Sequence, residues 1–461
     1  MRSAKNKISR ATLALGVFAL ALVVLQAAQL FRVIDRYAVD IPFWDQWDFY
    51  KPFFEPHGLW EIFAWQHGPH RQGAGAFIMQ AVNAATGWDQ RAQAFTIAAV
   101  MLAAAAAFLW LKRRLFGSLL WYDAIPVLMI VSLKPAEIYF AAMNVSHAAL
   151  PLLLIILTCL ALTIQNMLLR YCLAAAFYFL TIFTGFGLLA APILPVLLIM
   201  DFLHRFRDRQ WQQACIPAVA LFCCIATIAC FFHTYHFTPA VDCFQFPDER
   251  WYLYAVFMAI MFSSAILPDR LLALPSIAIG LLIIAVLFCI LAAAFAQQRT
   301  QDKHVYLHRV IFLLIAFSLI LSATTAAGRI CLGLQAATAT RYTPLILPGL
   351  LGAYLFFLSI TAIRSSRFVM PALFAAALCL MLTGWPWQRY HSARHYHNIK
   401  GAWAEAFRQT NDSALADTVS GHRIYPDPAR TSLARKLEWL RANRYSLFRE
   451  SAAADGHEAG E

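Results

Sequence analysis

Charged residues are scarce in this sequence. They make up 13% of its 461 residues, whereas 61% are hydrophobic. Soluble globular domains carry about a quarter charged residues, so this composition excludes an ordinary soluble protein. The mean hydropathy of +0.60 is that of a chain whose main solvent is lipid.

A cysteine pattern for metal or disulfide chemistry is also lacking. Ten cysteines are present, but no two have CxxC spacing. Most lie inside apolar runs, where cysteine behaves as a small apolar residue. These include Cys159, Cys223, Cys224, Cys230, Cys289 and Cys379. The sequence therefore predicts neither a cysteine-based zinc site nor a disulfide framework.

The net charge of +12 does not indicate nucleic-acid binding. The basic residues form short clusters between apolar runs, as in Lys112–Arg114 and His204–Arg209. This distribution is typical of cytoplasmic loops under the positive-inside rule. We therefore expect membrane lipids, and no nucleic acid, among the partners.

Apolar runs recur along almost the whole chain. A helix needs about 20 apolar residues to cross the hydrocarbon layer. The first run follows "MRSAKNKISR" and is too long for a signal-peptide core, so we interpret it as a retained helix with a cytoplasmic N-terminus. Candidate spans lie at about 11–31, 92–111, 119–133, 147–164, 171–183, 187–203, 214–232, 252–267, 271–296, 309–327, 343–362 and 368–384. The pattern predicts an all-α, polytopic protein of about 11–12 transmembrane helices in the bacterial inner (cytoplasmic) membrane.

The charges of the loops do not agree with twelve full crossings. Twelve crossings would return the C-terminal tail to the cytoplasm. However, the basic segments 297–309 and 363–367 look cytoplasmic, which places 328–342 and the tail outside. We therefore expect one segment between 171 and 296 to be re-entrant or part of a neighbouring span.

Two parts of the chain are expected to lie outside the bilayer. The first is the outer loop 32–91 of a transmembrane domain that covers residues 1–384. The second is a small C-terminal tail, 385–461. Its leucines at 433, 437 and 440 have the spacing of an amphipathic helix.

The first outer loop contains Asp45 and Asp48 in "WDQWD". In a helical turn their spacing puts both carboxylates on one face. Two carboxylates in a partly dry site raise one pKa and supply a general base. Alternatively, this is a solvated loop whose tryptophans belong to the interfacial aromatic belt.

The same loop contains His67, His70 and Arg71 in "WQHGPHR". Arginine and histidine are suitable partners for a phosphate. The alternatives are a polar loop, or a zinc site completed by an aspartate. Gly68 and Pro69 interrupt the helix that would set a normal ligand spacing, which disfavours the metal.

Further ionisable residues lie next to later spans. Lys134 and Glu137 form either a helix-end pair or part of the same outer cavity. Arg329 and Arg341 border a small-residue stretch at the edge of the bilayer, where ionisable groups are functional candidates because an unpaired charge is costly. Their guanidinium groups suit phosphate or pyrophosphate. Alternatively, they are topogenic arginines at a cytoplasmic end.

Three stretches resemble the GT-C class of integral membrane glycosyltransferases, and more closely a poorly characterised bacterial branch related to it. They are "PFWDQWD" with "QHGPHR", then "GRICLGLQAATATRY", and the tail "IYPDPARTSLARKLEWLRANRYSLF". The resemblance implies transfer of a hexosyl or pentosyl unit from a polyprenyl-phosphate donor to an extracytoplasmic glycan or lipid, in cell-envelope polysaccharide biosynthesis. A divalent cation is used by some members of the class.

The resemblance also implies roles for particular residues. Asp45 matches the acid that acts as catalytic base or orients the acceptor, and Asp48 extends it by one turn. Arg341 and Tyr342 match the late Arg-Tyr. The matches to the His…His-Arg frame are His67, His70 and Arg71. The sequence departs from the branch at Gln46 and at Gly68-Pro69, where relatives carry an acid and Asn-Glu.

Three rival functions remain open at this stage. A transporter or flippase of lipid-linked sugars would use the arginines to hold phosphate, although transporters tend to show internal repeats that are not evident here. A polysaccharide polymerase or ligase typically has a large late outer loop, and the late loops of this chain are short. A non-catalytic envelope polysaccharide assembly protein would need none of these residues.

Overall fold

The fold is all-α and polytopic, as the sequence predicts. A computed structural model describes residues 10–239, 241–267, 274–298, 305–360, 372–373, 375–376, 387–429 and 431–449. It is 78% helical with almost no strand. Within these residues, eight helices are long and apolar enough to cross a membrane, and three shorter apolar helices accompany them. The chain is therefore a multi-pass membrane protein.

The first half of the chain contains the outer loop and the first spans. Its elements are α1 (Arg10–Tyr37), α2 (Gln46–Phe49), α3 (Leu59–Phe63), β1 (Gln66–His67), β2 (His70–Arg71), α4 (Gly73–Thr86), α5 (Gln90–Phe116), α6 (Ala124–Ile130), α7 (Ala136–Tyr139), α8 (Leu150–Leu162) and α9 (Met167–Ile182). A π-helical turn, Val145–Ala149, precedes α8. Asp89 begins α5 by accepting hydrogen bonds from two backbone amides of its first turn.

The second half contains the remaining spans and the tail. Its helices are α10 (Ile193–Arg207), α11 (Trp211–Phe232), α12 (Tyr254–Ile266), α13 (Leu274–Gln297), α14 (Val305–Arg329), α15 (Thr343–Ile360), α16 (Trp387–Thr410), α17 (Ser413–Ser420) and α18 (Leu433–Ala442). Short 3₁₀ turns follow α14, the last of them at Thr340–Tyr342.

Several predicted spans differ from the observed helices. The segment 119–133 contains only a 3₁₀ turn, Trp121–Asp123, and the short α6. The pair at 171–183 and 187–203 forms two separate helices joined by a 3₁₀ turn at Gly187–Ala190. The predicted span 368–384 lies almost entirely outside the described residues.

The basic clusters meet at one end of the bundle. Arg170 donates to the hydroxyl of Tyr306 at 2.8 Å, and Arg309 pairs with Asp201. These contacts join the start of α9, the end of α10 and the start of α14. The positive-inside rule makes this end cytoplasmic.

A disulfide at the opposite end corrects the expectation of none. Cys243 and Cys331 are bonded across 88 residues of sequence, with their Cα atoms 5.9 Å apart. The sequence could not reveal this pair because the fold alone brings the two loops together. Disulfides persist in oxidising compartments, so this end of the bundle faces outward.

Helix α12 is the segment that fits the expected re-entrant element. The loop that leads into it carries Cys243, at the outer face. The helix is one of the three shorter apolar helices, and it covers Trp251–Ile266 when the 3₁₀ turn before it is included. Its path is therefore decided by the contacts at its two ends. Just beyond its end, Leu267 accepts a hydrogen bond from Lys134, which precedes the outer helix α7. Both ends of α12 therefore lie on the outer side.

The tail packs against the first outer loop. Asp48 accepts a hydrogen bond from Tyr425 at 2.5 Å, and Lys436 donates to the carbonyl of Trp47 at 2.5 Å. The ring of Trp439 lies 5.3 Å from that of Trp88. The predicted amphipathic helix is confirmed as α18, whose leucines at 433, 437 and 440 are all buried. Loop and tail form one hydrophobic core with the spans.

Candidate functional site

A β-hairpin in the outer loop brings two histidines to one side. Gly68 and Pro69 form its two-residue turn, and Gly68 adopts a φ of +57° that suits glycine. His67 and His70 are the directly paired residues that flank this turn. Side chains of such a pair lie on the same face. The Gly68-Pro69 turn therefore aligns two imidazoles.

The π-helical turn before α8 adds a third histidine that the sequence analysis did not single out. Two glycines let other segments reach this turn. A Cβ on Gly75 would lie 1.9 Å from Ser146 Oγ, and one on Gly185 would lie 2.2 Å from His147 Cδ2. The backbone amide of Gly185 also donates to the carbonyl of Ser146 at 2.9 Å. Single π turns inside helices frequently mark functional sites.

The three imidazoles meet at this place. The ring of His147 lies 5.1 Å from His70 and 6.2 Å from His67. Gln72 approaches His147, with Nε2 to Nε2 at 3.4 Å. Desolvation, followed by the nearby His67 and Arg329, lowers the pKa of His70 to about 3. His70 is therefore neutral at pH 7 and can donate one hydrogen bond and accept another.

The late loop supplies two arginines and a tyrosine. Arg341 forms a 2.8 Å salt bridge with Glu137. Its guanidinium carbon lies 5.3 Å from the centre of the Tyr342 ring, and that of Arg329 lies 5.9 Å from the same centre. Because Arg329 also lowers the pKa of His70, the arginine pair and the histidines share one electrostatic environment. We call this set of side chains the outer cluster: Glu137, Arg329, Arg341, Tyr342, His67, His70 and His147.

A cavity of 160 Å³ opens beside Glu137. The tail helix α16 forms one wall, and α7 and the 3₁₀ turn before α15 form the other. It is lined by Glu137, Thr340, His391, Ser392, His395 and Tyr396. Burial and the nearby Glu137 raise the pKa of Tyr396, so its phenol stays protonated and can donate a hydrogen bond.

Arg71 and Lys134, which the sequence analysis proposed as candidates, have other partners. Arg71 is buried, and its guanidinium donates to three backbone carbonyls, those of Ala64, Phe231 and His233. These hydrogen bonds of the guanidinium group hold the hairpin against the end of α11. The buried group offers no exposed side to a phosphate. Lys134 donates to the carbonyl of Leu267.

The two aspartates do not share a site. A helical turn forms as expected, with Asp45 at its N-cap, exposed and without a side-chain cap hydrogen bond. Asp48 turns towards the tail and accepts hydrogen bonds from Tyr425 and Thr431. The acid that does lie beside the arginines is Glu137, which the sequence analysis grouped with the ligand-binding residues.

Metal binding finds no support in the part of the chain that the structure describes. No group of three or more His, Cys, Asp and Glu side chains there is arranged to hold an ion. The carboxylate of Glu137 is paired with Arg341 and is not arranged with the three histidines to hold an ion.

Two signals in the sequence point to the missed residues. His147 is an ionisable residue at the start of an apolar run, where charge is costly. His391 and His395 are four residues apart and therefore share a helix face.

No protein-family model and no curated protein matches this chain.

Proposed function

We propose that the protein is a membrane glycosyltransferase that moves a sugar from a polyprenyl-phosphate donor to an extracytoplasmic glycan or lipid. The observation that carries this proposal is the outer cluster. It combines two arginines, a carboxylate and three imidazoles at the outer end of the bundle. Glycosyl transfer from phosphate needs cations at the leaving group and a base at the acceptor.

The arginines suit the donor phosphate. Arg341 is part-exposed and immediately precedes α15, so an anion that it binds lies at the membrane surface. A polyprenyl chain attached to that phosphate would extend from there into the bilayer. Arg329 flanks the same tyrosine ring and would supply a second positive charge.

Glu137 is suited to act as the general base. Its carboxylate is held by Arg341 at 2.8 Å. A donor phosphate that takes over this arginine frees the carboxylate. Glu137 then accepts the proton of the acceptor hydroxyl while the hydroxyl oxygen bonds to the anomeric carbon. The bond from that carbon to the donor oxygen breaks, and the phosphate leaves with the electron pair, stabilised by the arginines.

The proposal assigns the base differently from the resemblance, which favours Asp45. Asp45 is exposed, whereas Glu137 contacts the arginine that would bind the leaving group. Asp48 is engaged with the tail. The bacterial setting that the resemblance implies, with the inner membrane and the synthesis of envelope polysaccharide, belongs to the same proposal.

The base assignment can be tested in a deletion strain complemented with Glu137→Gln or Asp45→Asn. Both changes keep the size of the side chain and remove its basicity. Removal of a general base costs about 10²–10⁴-fold in rate. We expect Glu137→Gln to abolish transfer at normal protein levels and Asp45→Asn to stay within about twofold. Mass spectrometry of lipid-linked and envelope glycans gives the readout.

Each other outcome has a defined meaning. Loss of transfer in Asp45→Asn alone would return the base role to Asp45. Accumulation of intact lipid-linked donor in the deletion strain would favour a flippase. Unchanged glycans in that strain would favour an assembly role and overturn the proposal.

A further inference from the structure

The tail helix α16 is fixed to the transmembrane domain along one face. The side-chain amide of Gln29 donates to the hydroxyl of Tyr390 at 2.7 Å. Two turns further along the same face, His397 contacts the carbonyl of Tyr37 at 3.3 Å and packs edge-on against its ring. Ala393, between them, is fully buried. This stripe holds the helix in a defined rotation on the end of α1.

That rotation directs the neighbouring stripe of α16 towards the outer cluster. The stripe consists of His391, Ser392, His395 and Tyr396, and all four line the 160 Å³ cavity. The far wall is formed by Glu137 and Thr340. Thr340 and Glu137 lie 3.5 Å apart, oxygen to oxygen. The cavity therefore shares its carboxylate with the salt bridge to Arg341.

The lining has the chemistry of a polyol site. It offers hydroxyls, imidazoles and a carboxylate, each able to pair with sugar hydroxyls, and one aromatic side chain. Aliphatic side chains are absent from the described lining, which disfavours a lipid chain, and the carboxylate of Glu137 disfavours a phosphate. A single water needs only about 10–15 Å³ of such space, so the cavity has room for a larger polar group.

We propose that this cavity is a subsite for one sugar ring of the acceptor, formed jointly by α16 and the transmembrane domain. The proposal rests on the proposed function, because the acceptor follows from the position of Glu137. Glu137 contacts the two regions through different oxygens, because Oε1 accepts from Arg341 at 2.8 Å and Oε2 lies 3.5 Å from Thr340 of the cavity lining. The tail thereby becomes part of the substrate site.

Direct binding tests the subsite without relying on transfer. The full-length protein in lipid nanodiscs is probed by saturation-transfer NMR with methyl glycosides of glucose, galactose, mannose, N-acetylglucosamine, rhamnose and arabinose. Ser392→Trp should fill the cavity and abolish the signal of whichever glycoside binds. Arg394→Trp, an exposed position on the same helix that does not line the cavity, should leave it unchanged. His395→Ala should weaken binding without adding bulk.

Two binding results would overturn the proposal. One is the absence of a signal for every glycoside with the wild-type protein. The other is equal binding by Ser392→Trp and Arg394→Trp. Sugar binding that depends on Ser392 in a protein that transfers nothing would keep the subsite and reject the transferase alone.

Transfer kinetics distinguish the two sources of the sugar ring. If the cavity holds the acceptor, Ser392→Trp should raise the KM for the acceptor more than tenfold and change the KM for the donor less than twofold. A rise in the donor KM alone would assign the ring to the donor and overturn the acceptor subsite. Normal kinetics in an active transferase would reject the subsite and leave the proposed function standing.

Discussion

At the scale of single residues, the site depends on which polar groups already have hydrogen-bond partners within the protein. Arg71 and Arg341 are both arginines next to aromatic rings. All three of the hydrogen bonds of Arg71 go to backbone carbonyls. Arg341 instead holds one carboxylate and remains part-exposed. Only the second can exchange its partner for a phosphate.

His70 makes the stability of the outer cluster sensitive to acid. Its pKa is lowered to about 3, below the roughly 6.5 of an unfolded histidine. Between these values the unfolded chain binds more protons than the folded one, so stability falls as the pH drops from about 6.5 towards 3. The loss is at most about 1.4 kcal/mol per pH unit.

This sensitivity is measurable as a difference between variants. We expect the wild-type Tm to fall between pH 7 and pH 5 in nanodiscs, and His70→Gln to fall less because glutamine does not titrate. His422→Gln, an exposed histidine of the tail, is the control and should behave as the wild type. An identical pH dependence for His70→Gln and the wild type would contradict the assignment.

At the scale of elements, the tail and the first loop behave as one packed unit. The leucines of α18 are buried, and its Trp439 packs against Trp88 and Phe54 of the first outer loop. Charged contacts surround this core, such as that between Arg449 and Asp40 at 2.7 Å. Because α16 belongs to the same tail, loosening α18 should also disturb the wall of the cavity.

Truncation of a buried leucine should show this coupling. Leu440 is completely buried, so Leu440→Ala should cost about 2–5 kcal/mol of docking stability. We expect faster hydrogen exchange in α18 and in residues 46–53 of the first loop. Glu438→Ala changes an exposed residue of the same helix and should leave both rates unchanged. Faster exchange confined to α18 would show that the loop does not need the tail.

At the scale of the whole molecule, the topology follows from contacts between loops. The disulfide joins the loop before α12 to the segment after α14. The tail contacts the first outer loop. With α12 entering and leaving on one side, we expect an odd number of crossings and a tail that ends outside.

A reporter fusion tests this count. Alkaline phosphatase needs its own disulfides and is therefore active only in an oxidising compartment. Fused after Glu461, it should be active in a bacterial host. Fused within the basic segment His204–Arg209, it should be inactive. Inactivity of both fusions would mean that α12 crosses the membrane, and the opposite distribution would mean that the orientation is reversed.

The sequence alone determined the fold class, because membrane spans need long apolar runs and twenty consecutive residues carry that signal. It also identified Arg329, Arg341 and Glu137 as candidates, since charge near lipid is costly wherever it lies. The tail helix was equally readable from the spacing of its leucines.

Only the tertiary structure decided which of these residues meet. It turned Asp48 towards the tail, buried Arg71 among carbonyls and brought Glu137 to Arg341 from 204 residues away. It also paired Cys243 with Cys331 and placed α16 over the outer cluster. Contacts between distant segments depend on the packing of whole helices, which local periodicity and spacing do not predict.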